Sequence, residues 1–65
     1  MRVILNGNEI ITNCENLLKL LENMGIQKEK VAVEVDGLVV PKSQFINFTI
    51  KENSKIEIIT FVGGG

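Results

Sequence analysis

Asn16-Leu17-Leu18-Lys19-Leu20-Leu21-Glu22-Asn23-Met24-Gly25 is the stretch on which the fold turns. Leu17, Leu20, Leu21 and Met24 stand at i, i+3, i+4 and i+7, which places them on one face of a helix. Leu18 falls off that face, at the border of the core or in solvent. Asn16 offers a side-chain oxygen to cap the free N–H groups of the first turn. Thr12 with Glu15 three residues later forms a rival capping box, which leaves the start open by one turn. Gly25 suits the position just past the helix, where a left-handed backbone is needed. A single short amphipathic helix can cover one face of a small sheet, so the flanks must supply strands.

They do. Towards the N-terminus, residues 1–5 alternate, with Met1, Val3 and Leu5 on one face and Arg2 and Ile4 on the other. Asn6-Gly7 tolerates the positive φ angles of a two-residue hairpin turn, and residues 9–12 read as the returning strand. Towards the C-terminus, residues 26–30 form a charged connection. Val31, Val33 and Val35 then alternate inward with Glu34 outward, Asp36-Gly37 repeats the hairpin signal, and Leu38-Val39-Val40 is a short strand. Pro41 has no N–H to give to a ladder, so pairing ends there. Residues 42–48 read as a turn or a single 3₁₀ turn, with Phe45 and Phe48 plugging the edge of the core. Glu52-Asn53-Ser54 is a turn cluster and residues 55–61 are the last strand. The order is hairpin, helix, strand, short strand, irregular stretch, strand. With the first and last strands parallel at the centre, this is an α+β, two-layer domain of the β-grasp (ubiquitin-like) type, a small mixed sheet on one main helix. The expected division is residues 1–62 as the domain and residues 63–65 as a flexible tail.

Composition narrows the function. The chain has 65 residues, a net charge of −1, no His and one Cys. A domain of this size buries only about 60% of its unfolded surface and has little room for a deep pocket. Neither a disulfide within the chain nor a soft-ligand metal site can form, and no catalytic triad is available. Scattered basic residues and only three aromatics, all Phe, give no nucleic-acid surface. Nothing resembles a signal peptide or a membrane span, so a cytoplasmic protein, monomeric alone, is expected. If the chain takes part in chemistry, it does so as a substrate or carrier and not as an enzyme.

Phe61-Val62-Gly63-Gly64-Gly65 supplies the reactive candidate. Three successive glycines have no side chains to pack and make a thin tail whose one chemical group is the Gly65 carboxylate. At its root, strand alternation sends Ile4, Ala32, Ile59 and Phe61 to the sheet face away from the helix, where polar residues are usual. An apolar patch there, formed by Ile4, Ile59, Phe61 and Val62, reads as a partner-binding surface. A sulfur-transfer role for Cys14, just before the helix, is set aside. It has no His or second Cys beside it, and a lone cysteine is more often a small buried apolar residue.

The run Val31-Ala-Val-Glu-Val-Asp-Gly-Leu-Val-Val-Pro41 with Phe45, and the ending Ile56-Glu-Ile-Ile-Thr-Phe-Val-Gly-Gly-Gly65, resemble the ThiS-type sulfur carriers of thiamin biosynthesis across essentially the whole chain. Two departures are local: Glu52-Asn53-Ser54 stands where the family often has Asp-Gly-Asp, and Phe45 where Trp is common. The resemblance implies that a ThiF-type adenylating enzyme uses ATP and Mg²⁺ to activate the Gly65 carboxylate, with no cofactor bound to the carrier itself. A sulfur-donor protein then displaces AMP, and the Gly65 thiocarboxylate gives its sulfur to thiazole synthase. Gly63 and Gly64 would give the tail clearance. A MoaD-type carrier for molybdopterin synthesis, a non-covalent ubiquitin-like interaction module and a protein-conjugating modifier remain as other readings.

Overall fold

A computed structural model describes residues 1–61. The expectations placed on Val62, Gly63, Gly64 and Gly65 therefore lie outside the described residues. Strands β1 (Arg2–Leu5), β2 (Asn8–Ile11), β3 (Val31–Val35), β4 (Leu38–Val40) and β5 (Lys55–Thr60) form one sheet in the order β2-β1-β5-β3-β4. β1 and β5 run parallel at the centre, and the other neighbours pair antiparallel. Helix α1 (Leu17–Asn23) packs on one face, which is the β-grasp arrangement expected from the element order.

The helix starts and stops where its sequence says. The Asn16 side chain accepts a hydrogen bond from Lys19 N at 2.8 Å, which settles the choice of cap in its favour. Thr12 instead accepts from Cys14 N at 3.0 Å. At the other end Gly25 takes φ +72, Gly25 N donates to Glu22 O, and Ile26 N donates to Leu21 O. This 5→2 and 6→1 pair is a Schellman motif, and Ile26 packs against the core beside it. Met24 departs from expectation: it is the C-cap residue and 42% exposed, because the helix ends one residue before it. Leu18 is half-buried at the core border.

The core joins Leu17, Leu20 and Leu21 to Val3, Leu5, Val31, Val33, Val35, Ile56 and Ile58. Phe45 is fully buried within it rather than at its edge, carried by a six-residue 3₁₀ segment, Lys42–Asn47, that is longer than the single turn expected. Phe48 is the half-buried plug at the rim. A further 3₁₀ turn, Lys28–Lys30, occupies the charged connection. The second strand spans Asn8–Ile11, one residue earlier than read from the sequence, and the last ends at Thr60.

Candidate functional site

The fold delivers the C-terminal segment through β5, and several side chains fix where that strand runs. Both hairpin turns contribute. Asn6 (φ 48) and Asp36 (φ 51) each occupy the first turn position, followed by Gly7 (φ 85) and Gly37 (φ 87), the positive-φ pairing of a type I′ turn. Asp36 N donates to Lys55 O at 2.8 Å, and its Oδ1 accepts from Lys55 N at 2.9 Å. Asn6 grips from the other side. Its N donates to Ile56 O, its Oδ1 accepts from Ile58 N at 2.7 Å, and its Nδ2 donates to Ile58 O at 3.4 Å. The carboxamide thus presents a donor and an acceptor as a strand would, after the β1 backbone has turned away. Upstream, Asn53 adopts φ 66 and donates its N–H to Arg2 O at 2.7 Å, while Ile4 N donates to Ser54 O. The Glu52-Asn53-Ser54 cluster therefore turns as expected and is stitched to β1. The buried Ser54 hydroxyl closes the loop on Lys51 O at 2.7 Å.

On the sheet face away from α1, Ile59 (50% exposed) lies opposite Ala32, and Phe61 (52% exposed) follows it. Phe61 N donates to Lys30 O at 3.0 Å, and Lys42 Nζ stands 5.5 Å from the centroid of the Phe61 ring. The root of the tail is thus an apolar pair flanked by two lysine-bearing segments. Ile4 shares this face but not this place. It is half-buried and pairs with Lys55, four residues before Ile59 along β5. At about 3.3 Å per residue that is roughly 13 Å, with the charged Lys55 and Glu57 between them on the same face. Of the residues singled out in the sequence, the fold brings Ile59, Phe61 and Ala32 together and leaves Ile4 apart; Val62 lies outside the described residues.

Cys14 is 6% exposed, and its Sγ accepts from Asn23 Nδ2 at 3.0 Å. It belongs to the core, beside a concavity of about 330 Å³ lined by Asn13, Glu15, Asn16, Lys19 and Asn23. Among the described residues no cluster of His, Cys, Asp or Glu could hold a metal ion, and no helix is long and apolar enough to cross a membrane.

The model of the ThiS family matches residues 3–65. The chain belongs to the ThiS family. The crystal structure of a ThiS-type thiamine biosynthesis protein from Geobacter metallireducens is 32% identical and covers the whole of both chains, with a TM-score of 0.84. Thiazole synthase from Paramagnetospirillum magneticum is 35% identical over 66 residues, and the uncharacterized protein ycf40 of Porphyra purpurea is 36% identical over 56. The chain covers 79% of ycf40 but spans only about a fifth of the thiazole synthase. With the ThiS architecture in view, the Asn6 and Asp36 side chains are the site residues that sequence reading missed. Their turns were legible, but nothing local reveals that the two carboxyl-derived groups reach across to β5.

Proposed function

We propose that this ThiS-family chain is a sulfur carrier in thiamin biosynthesis, with the Gly65 carboxylate as its reactive group. The observation that carries the reading is the match of the family to residues 3–65, tail included, on a domain whose central strand leads into that tail. A ThiF-type enzyme, using ATP and Mg²⁺, joins AMP to the carboxylate with loss of pyrophosphate. The terminal sulfur of a donor protein's persulfide then displaces AMP to give an acyl disulfide. A second thiol attacks the donor-side sulfur, releasing the Gly65 thiocarboxylate and leaving a disulfide behind. The activation is necessary because a carboxylate repels nucleophiles and oxide is a poor leaving group. Glycines at 63 and 64 leave the acyl carbon open to attack and let the tail pass a narrow channel.

The recipient is thiazole synthase. Support comes from proteins bearing that name in Paramagnetospirillum magneticum and Magnetococcus marinus, where a segment similar to all of this chain makes up 20% of the length. Joining carrier and synthase in one chain raises the effective concentration of one for the other, as expected of partners. Ile59 and Phe61, with Val62 and the more distant Ile4, form the recognition surface. Half of the Phe61 ring is free to be covered by a partner, next to the segment that must enter its active site.

The test is ATP–pyrophosphate exchange by a ThiF-type enzyme in the presence of this protein. Exchange should depend on the chain and vanish when Gly65 is deleted. Exchange that persists at full rate when the chain is extended past Gly65, so that its carboxyl is tied up in a peptide bond, would remove that carboxylate from the reaction.

A further inference from the structure

β5 is central in the strand order, yet its last residues are an open edge. Two hydrogen-bonded pairs with β3 fix its parity: Lys55 with Asp36, and Phe61 N with Lys30 O. In an antiparallel ladder such pairs alternate, so the odd-numbered residues of β5 bond towards β3 and the even-numbered ones face β1. The bonds on the β1 side agree, since Ile4 N reaches Ser54 O, Asn6 N reaches Ile56 O, and the Asn6 carboxamide takes both backbone groups of Ile58. Thr60 is next in that series. The register of β1 on β5 ends at Ile56, and the Asn6 side chain extends it only to Ile58. Among the described residues nothing continues the series to Thr60, so its N–H and C=O are left as an open edge on the β1 side, immediately before the exposed Phe61.

Reach decides what covers this edge. Four residues separate Phe61 from the end of Gly65, and at 3.3–3.6 Å each they span at most about 14 Å. An enzyme acting on Gly65 must bring its active-site mouth within that distance of Phe61, the residue next to Thr60. We infer that the adenylating enzyme adds an extended segment of its own to β5 at Thr60, pairing with the backbone groups that the Asn6 side chain leaves open. Strand addition supplies main-chain bonds and sets the direction of the chain that follows, here the tail. Asn6 marks the boundary between pairing within the carrier and pairing with the enzyme. This inference rests on the carrier reading above.

Proline at position 60 tests it. Thr60→Pro removes an N–H that has no partner among the described residues, at the end of a strand where proline is tolerated. Its thermal stability should stay close to that of the parent, while KM for the carrier in ATP–pyrophosphate exchange rises roughly three- to tenfold, the worth of one net hydrogen bond, with kcat held. Thr60→Ala keeps the N–H and should match the parent in both. Should Thr60→Pro fail to fold, hydrogen–deuterium exchange of the parent protein gives the same answer: the Thr60 amide exchanges fast alone and slowly in the complex. A Thr60 amide equally exposed in both states, or an unchanged KM for a folded Thr60→Pro, overturns strand addition while leaving the carrier reading intact. Absence of any exchange with the parent protein and an active enzyme overturns the carrier reading itself, and this inference with it.

Discussion

Asn6→Ala isolates the device that holds the outgoing strand. The substitution removes the Oδ1 and Nδ2 contacts to Ile58, 2.7 and 3.4 Å long, and leaves a residue with a β-carbon at φ 48. Ile58 is 9% exposed, so its stranded N–H and C=O recover only part of their hydration, a loss of about 1–2 kcal/mol. Holding alanine in the left-handed region adds about 1 kcal/mol, a cost that asparagine largely avoids by local hydrogen bonding. The sum is about 2–3 kcal/mol, out of roughly 3–10 kcal/mol expected for 65 residues. That predicts a fall in Tm of about 10–20 °C. Asn6→Gly relieves the backbone conformation but not the lost bonds, and should fall between parent and alanine variant. Thermal and urea denaturation followed by circular dichroism give all three stabilities. If Asn6→Ala lies within about 0.5 kcal/mol of the parent, a typical surface substitution, the carboxamide does not hold β5.

The same geometry sets other outcomes. Phe61→Asp should weaken binding to the ThiF-type enzyme more than it lowers stability, because half of the ring is already exposed and Lys42, 5.5 Å from its centroid, can receive the new carboxylate; equal losses in titration calorimetry and in melting would make Phe61 a core residue. Phe45→Ala should cost about 3–5 kcal/mol, a large share of the stability expected for this chain, seen as a urea midpoint far below the parent's. Cys14→Ala should lower Tm by a few degrees yet leave sulfur loading at Gly65 at parental yield, because the buried thiol packs in the core and accepts a hydrogen bond from Asn23. Gly25→Ala should cost about 1 kcal/mol, since φ +72 strains any residue with a β-carbon even though the space around it is open.

Much of this molecule is readable from local signals because those signals act locally. The two turns, Asn6-Gly7 and Asp36-Gly37, require positive φ and have it. Asn16 and Gly25 bound the helix through bonds to residues within one turn. The parallel β1–β5 centre followed from the element order alone. What stayed hidden depends on register and reach. The apolar spacing put Met24 on the helix face, but Met24 is the C-cap residue, just before the chain leaves the helix at Gly25, and it stays 42% exposed. Strand alternation gave Ile4, Ile59 and Phe61 a common face correctly. It could not show that the parallel register sets Ile4 beside Lys55, two charged residues away from the other pair. The burial of Phe45 needed the length of the Lys42–Asn47 segment, which no periodicity announces. Likewise, the grip of Asn6 and Asp36 on β5 joins positions 52 and 19 residues apart in sequence.

The central claim is chemical and concerns one carboxylate. The purified protein, incubated with a ThiF-type enzyme, ATP, Mg²⁺ and a sulfur donor, is weighed intact and then fragmented by mass spectrometry. The protein should gain the mass of one oxygen-for-sulfur exchange, confined to Gly65 and absent when Gly65 is deleted or the chain is extended past it. An unchanged mass beside an enzyme shown to be active, or a gain that maps to Cys14, contradicts it.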